Sequence, residues 1–178
     1  IIYASSSSVY GNTKDDIVDE TYNNIDFHNY YDFSKKSLDM YAEIIIKKLH
    51  KNIFGLRFGT VNGFSPNFRN DIMINAMTTS ALKEKNVKVF SKQTKRPILG
   101  IRDLCKSIKH IIEYGNKDNA GIYNLASFNS TVEEIGLIVS NLLNVPCKYI
   151  NELKENITNV KTSSYNFSIN CNKFCKNF

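Results

Sequence analysis

The chain has 178 residues, 42% hydrophobic and 22% charged, enough for one domain with a sizeable core and ordinary for a soluble globular protein. The net charge of +6 is spread over scattered lysines such as Lys83, Lys85 and Lys88, with arginine only at Arg57, Arg69, Arg96 and Arg102. That pattern reads as a solvated surface and not as a nucleic-acid footprint, which would show basic clusters interleaved with aromatic residues. The densest apolar run, Ile44-Ile45-Ile46, is far too short to span a bilayer, and no signal peptide is visible. Cys105, Cys147, Cys171 and Cys175 form no Cys-x-x-Cys pair and lack histidines at ligand spacing, so a reduced, cytoplasmic setting without a metal site is expected.

Ile1-Ile2-Tyr3-Ala4 reads as a short buried strand running into Ser5-Ser6-Ser7-Ser8. Small hydroxyl residues at a strand's C-terminal end let a ligand approach the backbone, and ligands of open α/β sheets bind there. Asn12 to His28 reads as a polar loop over that end. From Tyr30 to about His50 the residues Leu38, Tyr41, Ala42, Ile45 and Leu49 recur at helical spacing, with Asn29 as N-cap and Asp32 in the first turn. Ile53 to Phe58 follows as a strand. Strand, helix, strand in this order predicts a parallel sheet.

Gly59 to Asp71 reads as loop, Ile72 to about Glu84 as helix and Val87 to Phe90 as strand. Asp103 is the expected cap of a helix through Tyr114, with Leu104, Ile108, Ile111 and Ile112 inward and Cys105 as a small core residue. Gly121 to Leu125 is a strand. Ser130 or Thr131 starts a helix with Glu133 and Glu134 in its first turn, Ile135, Ile138, Val139, Leu142 and Leu143 as its core face, and Asn144 or Pro146 at its end. Beyond Lys148 only a weak strand at Tyr165–Ser168 stands out. The chain opens on Ile1 in a strand pattern and closes on Phe178 inside a patterned segment, so a piece of a longer protein is expected.

Tyr31 and Lys35 stand four residues apart and project from one helix face. A phenol ordinarily ionises near pH 10, and a fixed ammonium beside it favours the phenolate. A Tyr-x-x-x-Lys pair is therefore a possible acid/base device at neutral pH.

Five segments in register then resemble the extended short-chain dehydrogenase/reductase superfamily, in its nucleotide-sugar epimerase/dehydratase branch. They are Ser5-Ser6-x-x-Val9-Tyr10-Gly11, Tyr31-x-x-Ser34-Lys35, Leu56-Arg57-Phe58-Gly59-Thr60-Val61-Asn62-Gly63, Arg96 to Asp103, and Gly121 to Leu125. The resemblance implies an α/β fold: the C-terminal part of a Rossmann-type doubly wound parallel sheet in residues 1–62, and mainly a smaller substrate-binding lobe in 63–178, with about 98–125 returning to the sheet. It implies NAD as cofactor, with NADP left as the alternative, and a nucleotide sugar as substrate. Tyr31 is then the acid/base, Lys35 its activator and ribose contact, and Ser6 the hydroxyl that meets the reacting sugar hydroxyl. Ala4, Ser5, Ser6, Tyr31, Lys35, Phe58 and Val61 would line the cofactor. Ser7, Ser8, Thr60, Arg69 and Arg96 would face the substrate, the arginines through phosphate oxygens. Relatives often dimerise through the tyrosine helix, so a homodimer is expected of the full-length protein.

The departures also carry expectations. No Gly-x-Gly-x-x-Gly or Gly-x-x-Gly-x-x-Gly occurs among the eight glycines, so the pyrophosphate cradle is missing and this stretch alone should bind NAD poorly and be inactive. Ser7 and Ser8 stand where 4,6-dehydratases of the family carry an Asp-Glu pair, which disfavours dehydration. Ser163-Ser164-Tyr165 stands where many relatives have an arginine. His28, His50 and His110 have no partners at catalytic or metal spacing and read as structural. An epimerase is the leading reading, a reductase or dehydratase of the same family the alternative, and a non-catalytic dinucleotide-binding member the rival from another class.

Overall fold

The computed structural model describes residues 1–13, 16–23, 27, 29–150 and 165–178; His28, Ser163 and Ser164 lie outside them. Strand β1 (Ile2–Ser6) runs into one 3-10 turn over Ser7–Tyr10. Gly11 closes that turn at φ 65, a backbone conformation that glycine adopts without steric penalty. The expected loop after it contains a short strand, β2 (Ile17–Val18), paired in parallel with β10 (Ser168–Ile169). A two-residue strand carries no local periodicity. It forms because Val18 is buried against Val9, Tyr10, Tyr165, Phe167 and Ile169, so its cause lies at the other end of the chain.

Helix α1 (Tyr30–Leu49) begins where the sequence places it, the Asn29 side chain accepting the Asp32 N–H at 2.8 Å. Its buried face differs from the expected one. Leu38, Tyr41 and Leu49 are exposed, whereas Asp32, Asp39 and Ala42 are buried. The helix turns a polar row inward because Asp39 meets a buried arginine and a tyrosine hydroxyl of the sheet beneath it. Hydrophobic spacing cannot register such a pairing.

β3 (Phe54–Phe58) lies between β1 and β7 (Gly121–Leu125), all three parallel, with Ala4 opposite Leu56 and Leu56 opposite Tyr123. The predicted parallel sheet is therefore present. α1 covers one face through Ala42, Ile45 and Ile46 against Tyr3, Ile53 and Ile122. The other face packs on α3 (Ile101–Tyr114) through Leu104 and Ile111, and on Phe174 and Phe178 of the C-terminal segment, whose helix α5 (Asn172–Asn177) the sequence pattern does not announce.

A second body of structure follows β3. β4 (Thr60–Asn62), inside the expected loop, pairs in parallel with β6 (Lys95–Gly100), which pairs antiparallel with β8 (Phe128–Thr131). β5 (Val87–Val89) pairs in parallel with β9 (Cys147–Tyr149). Helices α2 (Met73–Glu84) and α4 (Val132–Leu143) close over them, burying Met77, Ala81, Val87, Val89, Ile98, Ile135 and Val139 together.

Three helix details differ from expectation. α3 starts at Ile101 after Gly100, which puts Asp103 in the first turn, where it accepts the Ser127 hydroxyl at 2.5 Å. Cys105 and Ile112 are exposed, because only the row through Leu104 and Ile111 reaches the sheet. In α4 Ile138 and Leu142 are likewise exposed while Ile135 and Val139 are buried: one i,i+4 row packs, and the neighbouring row faces outward. Thr131 caps α4 in a full capping box with Glu134, and Asn144 ends the helix.

Candidate active site

The C-terminal end of β1, the 3-10 turn and the first turn of α1 bring a line of hydroxyls onto one carboxylate. Ser6 Oγ lies 2.8 Å from Ser8 Oγ, and Ser8 Oγ donates to Asp32 Oδ1. Asp32 Oδ2 accepts the Tyr165 hydroxyl and Asn29 Nδ2, each at 2.6 Å. Asp32 is only 2% exposed, and its three donors meet the requirement that a buried carboxylate be hydrogen-bonded. Ser7 turns the other way, donating to the Phe58 carbonyl at 2.8 Å, which ties the end of β3 to the turn.

Tyr31 and Lys35 share a helix face as the spacing requires. Lys35 Nζ lies 5.6 Å from the Tyr31 ring centroid and donates to the Ala4 carbonyl at 2.8 Å. That bond anchors the ammonium on β1 and leaves two of its N–H groups uncommitted. Tyr31 is 56% exposed. Ala4 is exposed and Ser5 is buried. Phe58 pairs in register with Ser6, and Thr60 and Val61 continue the same path into β4, all three half-buried. Ser6, Ser7, Ser8, Tyr31, Lys35, Ala4 and Phe58 thus gather around one strand end.

Beneath the site lies a charged network that sequence reasoning missed. Arg57, 1% exposed, donates from Nε to Asp39 at 2.7 Å and from Nη1 to the Tyr10 hydroxyl at 2.8 Å. Tyr10 in turn donates to Asn124, and Tyr3 to Asp39. Burial pushes the Tyr10 phenol up to about 12 against the opposing pull of Arg57. Burial also works against the Arg57 charge, but Tyr10 and Asp39 outweigh it and the guanidinium is held more firmly protonated.

The two arginines part company. Arg96, on β6, lines a cavity of about 620 Å³ with Asn70, Met73, Lys83, Phe90 and Thr94. Its guanidinium lies 5.9 Å from the Phe167 ring centroid, and burial lowers its pKa. Arg69 is on the surface, in a two-pronged pair with Asp71 (Nε–Oδ1 3.0 Å, Nη2–Oδ2 2.5 Å), and does not line that cavity. Asp32, Asn29 and Tyr165 are the site residues that the sequence did not single out. The sequence offered Asn29 only as a cap, Asp32 as a first-turn residue and Tyr165 as part of a weak strand.

Residues 1–126 match the NAD dependent epimerase/dehydratase family, and the chain belongs to it. Among solved structures it is similar to a dTDP-glucose 4,6-dehydratase from Bacillus anthracis in complex with NAD, at 21% identity and a TM-score of 0.79, over 99% of this chain and 54% of that one. It is similar to a UDP-glucose 4-epimerase from Thermus thermophilus in complex with NAD, at 16% identity and TM-score 0.78, over 98% and 56%. An ADP-L-glycero-D-manno-heptose-6-epimerase from Helicobacter pylori matches at 23% identity and TM-score 0.73, over 99% and 52%. At these identities the likeness carries the fold. The chain spans about half the length of each of these proteins.

The donors present fit one end of a nicotinamide dinucleotide. An anchored ammonium with spare N–H groups, an exposed phenol and an exposed Ala4 leave room for a ribose and a planar ring at the strand end. Among the described residues no group of three or more His, Cys, Asp or Glu is placed to hold a metal ion, and no helix is long and apolar enough to cross a membrane.

Proposed function

We propose that this chain carries the acid/base centre of an NAD(P)-dependent nucleotide-sugar epimerase or related oxidoreductase, with Tyr31 as the acid/base. The observation that supports it best is the Tyr31–Lys35 pair, its ammonium pinned to β1 through Ala4 beside the Ser6 hydroxyl line. NAD, when bound, supplies the hydride acceptor. Tyr31 takes the proton of the reacting sugar hydroxyl and returns it later from the same oxygen. Lys35 stabilises the phenolate by its charge and holds the nicotinamide ribose with its remaining N–H groups. Ser6 holds the sugar hydroxyl in line, while Ala4, Ser5, Phe58 and Val61 shape the cofactor side.

The transient keto sugar is then reduced again from its other face, which is epimerisation. The cavity beside Arg96 is the place for the nucleotide, with Arg96 on its phosphates, Thr60, Ser7 and Ser8 toward the sugar, and Arg69 able to join only by releasing Asp71. Residues 1–62 and about 98–125 act as the cofactor part and the rest mainly as the substrate lobe, in a cytoplasmic protein that works as a homodimer at full length. A reductase of the same family is the second reading, since Ser7 and Ser8 supply no carboxylate of their own for elimination. Net consumption of reduced cofactor separates it from an epimerase, which consumes none. In the full-length protein Tyr31→Phe should abolish nearly all turnover of nucleotide sugars; near-native turnover in that variant would overturn the reading.

A further inference from the structure

The hydroxyl line at the end of β1 has a direction. Ser8 gives its single hydroxyl proton to Asp32, so its 2.8 Å contact with Ser6 is made by Ser6 donating. Ser6 Oγ also accepts the Ser8 backbone N–H at 3.3 Å. Its proton and one lone pair are therefore committed, and one lone pair is left for an incoming hydroxyl. At the far end Asp32 is buried and braced by Tyr165 and Asn29.

We propose that Ser6, Ser8 and Asp32 form a proton relay for the sugar hydroxyl, an outlet for its proton that operates only while the Tyr31 oxygen holds that hydroxyl in place, so that Tyr31→Phe closes the relay as well; this rests on the reading of Ser6 as the residue that meets that hydroxyl. In the oxidising direction the sugar O–H bond breaks and its proton joins Ser6 Oγ. The proton Ser6 held passes to Ser8 Oγ, and the one Ser8 held passes to Asp32 Oδ1. The carbinol C–H pair leaves as hydride to the nicotinamide of the proposed function. One proton has left the sugar and one has arrived on Asp32, so charge and atoms balance. Every bond of the line now points the other way: Asp32 donates to Ser8, Ser8 to Ser6, and Ser6 to the new carbonyl oxygen. The line accepts from the alcohol and donates to the ketone, the two states between which an epimerase alternates. Ser8 and Asp32 touch no substrate and act through Ser6.

Asp32→Asn is a sharp probe of this direction. Asn29 Nδ2 and the Tyr165 hydroxyl both donate to the carboxylate oxygen they face, so they hold the oxygen of the replacement amide. Its NH₂ then faces Ser8, and the line runs backwards.

The experiment uses the full-length protein with NAD, a panel of UDP- and dTDP-hexoses, and mixtures of light and heavy water. Asp32→Asn and Ser8→Ala should each lower kcat on the order of 10-fold with KM little changed, and the double variant should fall no further than either single one. The dependence of kcat on deuterium fraction should be curved in the wild type, reporting several protons in motion, and linear in Ser8→Ala. Without any turnover, Tm values of the two single variants and the double one should be non-additive, reporting the Ser8–Asp32 bond itself. Undiminished kcat in Asp32→Asn, a linear wild-type profile or additive Tm shifts would overturn the relay, and the Tyr31→Phe result would then still stand for the parent reading. A wild type that turns over no hexose in the panel overturns both.

Discussion

Arg57 and Asp39 are the side chains on which the site rests. Both are nearly inaccessible, and each is the other's main compensation. Truncating one partner of such a pair leaves a buried charge unanswered, which costs far more than the pair itself contributes. Asp39→Ala should therefore destabilise the protein by about 3–5 kcal/mol in urea denaturation. The exposed pairs Glu43–Lys47, Glu84–Lys88 and Lys109–Glu113 should each contribute about 0–1 kcal/mol. The same contrast explains what could be read ahead of the structure. Tyr31, Lys35 and Ser6 sit in short local patterns whose chemistry is visible in the residue types. Asp32 is held by a tyrosine 133 positions away and a serine 24 positions away, and nothing local marks an acidic residue as buried. Asp39 and Arg57 were legible only as helix and strand residues.

At the level of elements, α1 to α4 were found in the sequence and α5 was not, and the helices that were found often had the wrong face inward. α1 buries a polar row because the strands below offer Arg57 and Tyr3, and α4 packs by a single row around Gly136. That glycine shows how contact overrides propensity. A methyl group there would stand 2.6 Å from Cγ2 of the buried Val89 on β5. Helix propensity alone favours alanine over glycine by about 1 kcal/mol, yet overpacking costs typically 1–3 kcal/mol. Gly136→Ala is thus expected to lower stability; a raised Tm would show that β5 can yield. Of the strands that escaped the sequence, β2, β4, β8 and β9 are two to four residues long, too short for a period of two to declare itself, and β6, six residues long, opens on Lys95-Arg96-Pro97, which gives no strand pattern; each exists because of its partner.

For the molecule as a whole, buried phenols set the alkaline limit. Burial raises Tyr10 to about 12, and burial followed by the nearby Glu20 raises Tyr123 to about 12. Both are raised above the value near 10 of an unfolded chain, so their contribution is complete below about pH 10 and is lost as pH rises toward 12. Urea midpoints should hold steady up to pH 10 and fall beyond it, and Tyr10→Phe should flatten part of that fall; a flat profile in the wild type would mean that these rings ionise freely. The parallel β1–β3–β7 sheet was legible from the strand–helix–strand order, while the strand pairing of the second body was not, since its sheets join segments far apart in the chain.

The central claim is that Tyr31, activated by Lys35, moves the proton of a nucleotide-sugar hydroxyl while hydride shuttles to and from NAD. Its most direct measurement is the rapid-mixing absorbance of reduced nicotinamide when the full-length protein with NAD meets the panel of UDP- and dTDP-hexoses. The account predicts a transient rise in the wild type that decays as the sugar is converted, and no rise in Tyr31→Phe although that variant still binds the sugar. A rise of equal rate and size in Tyr31→Phe would contradict it.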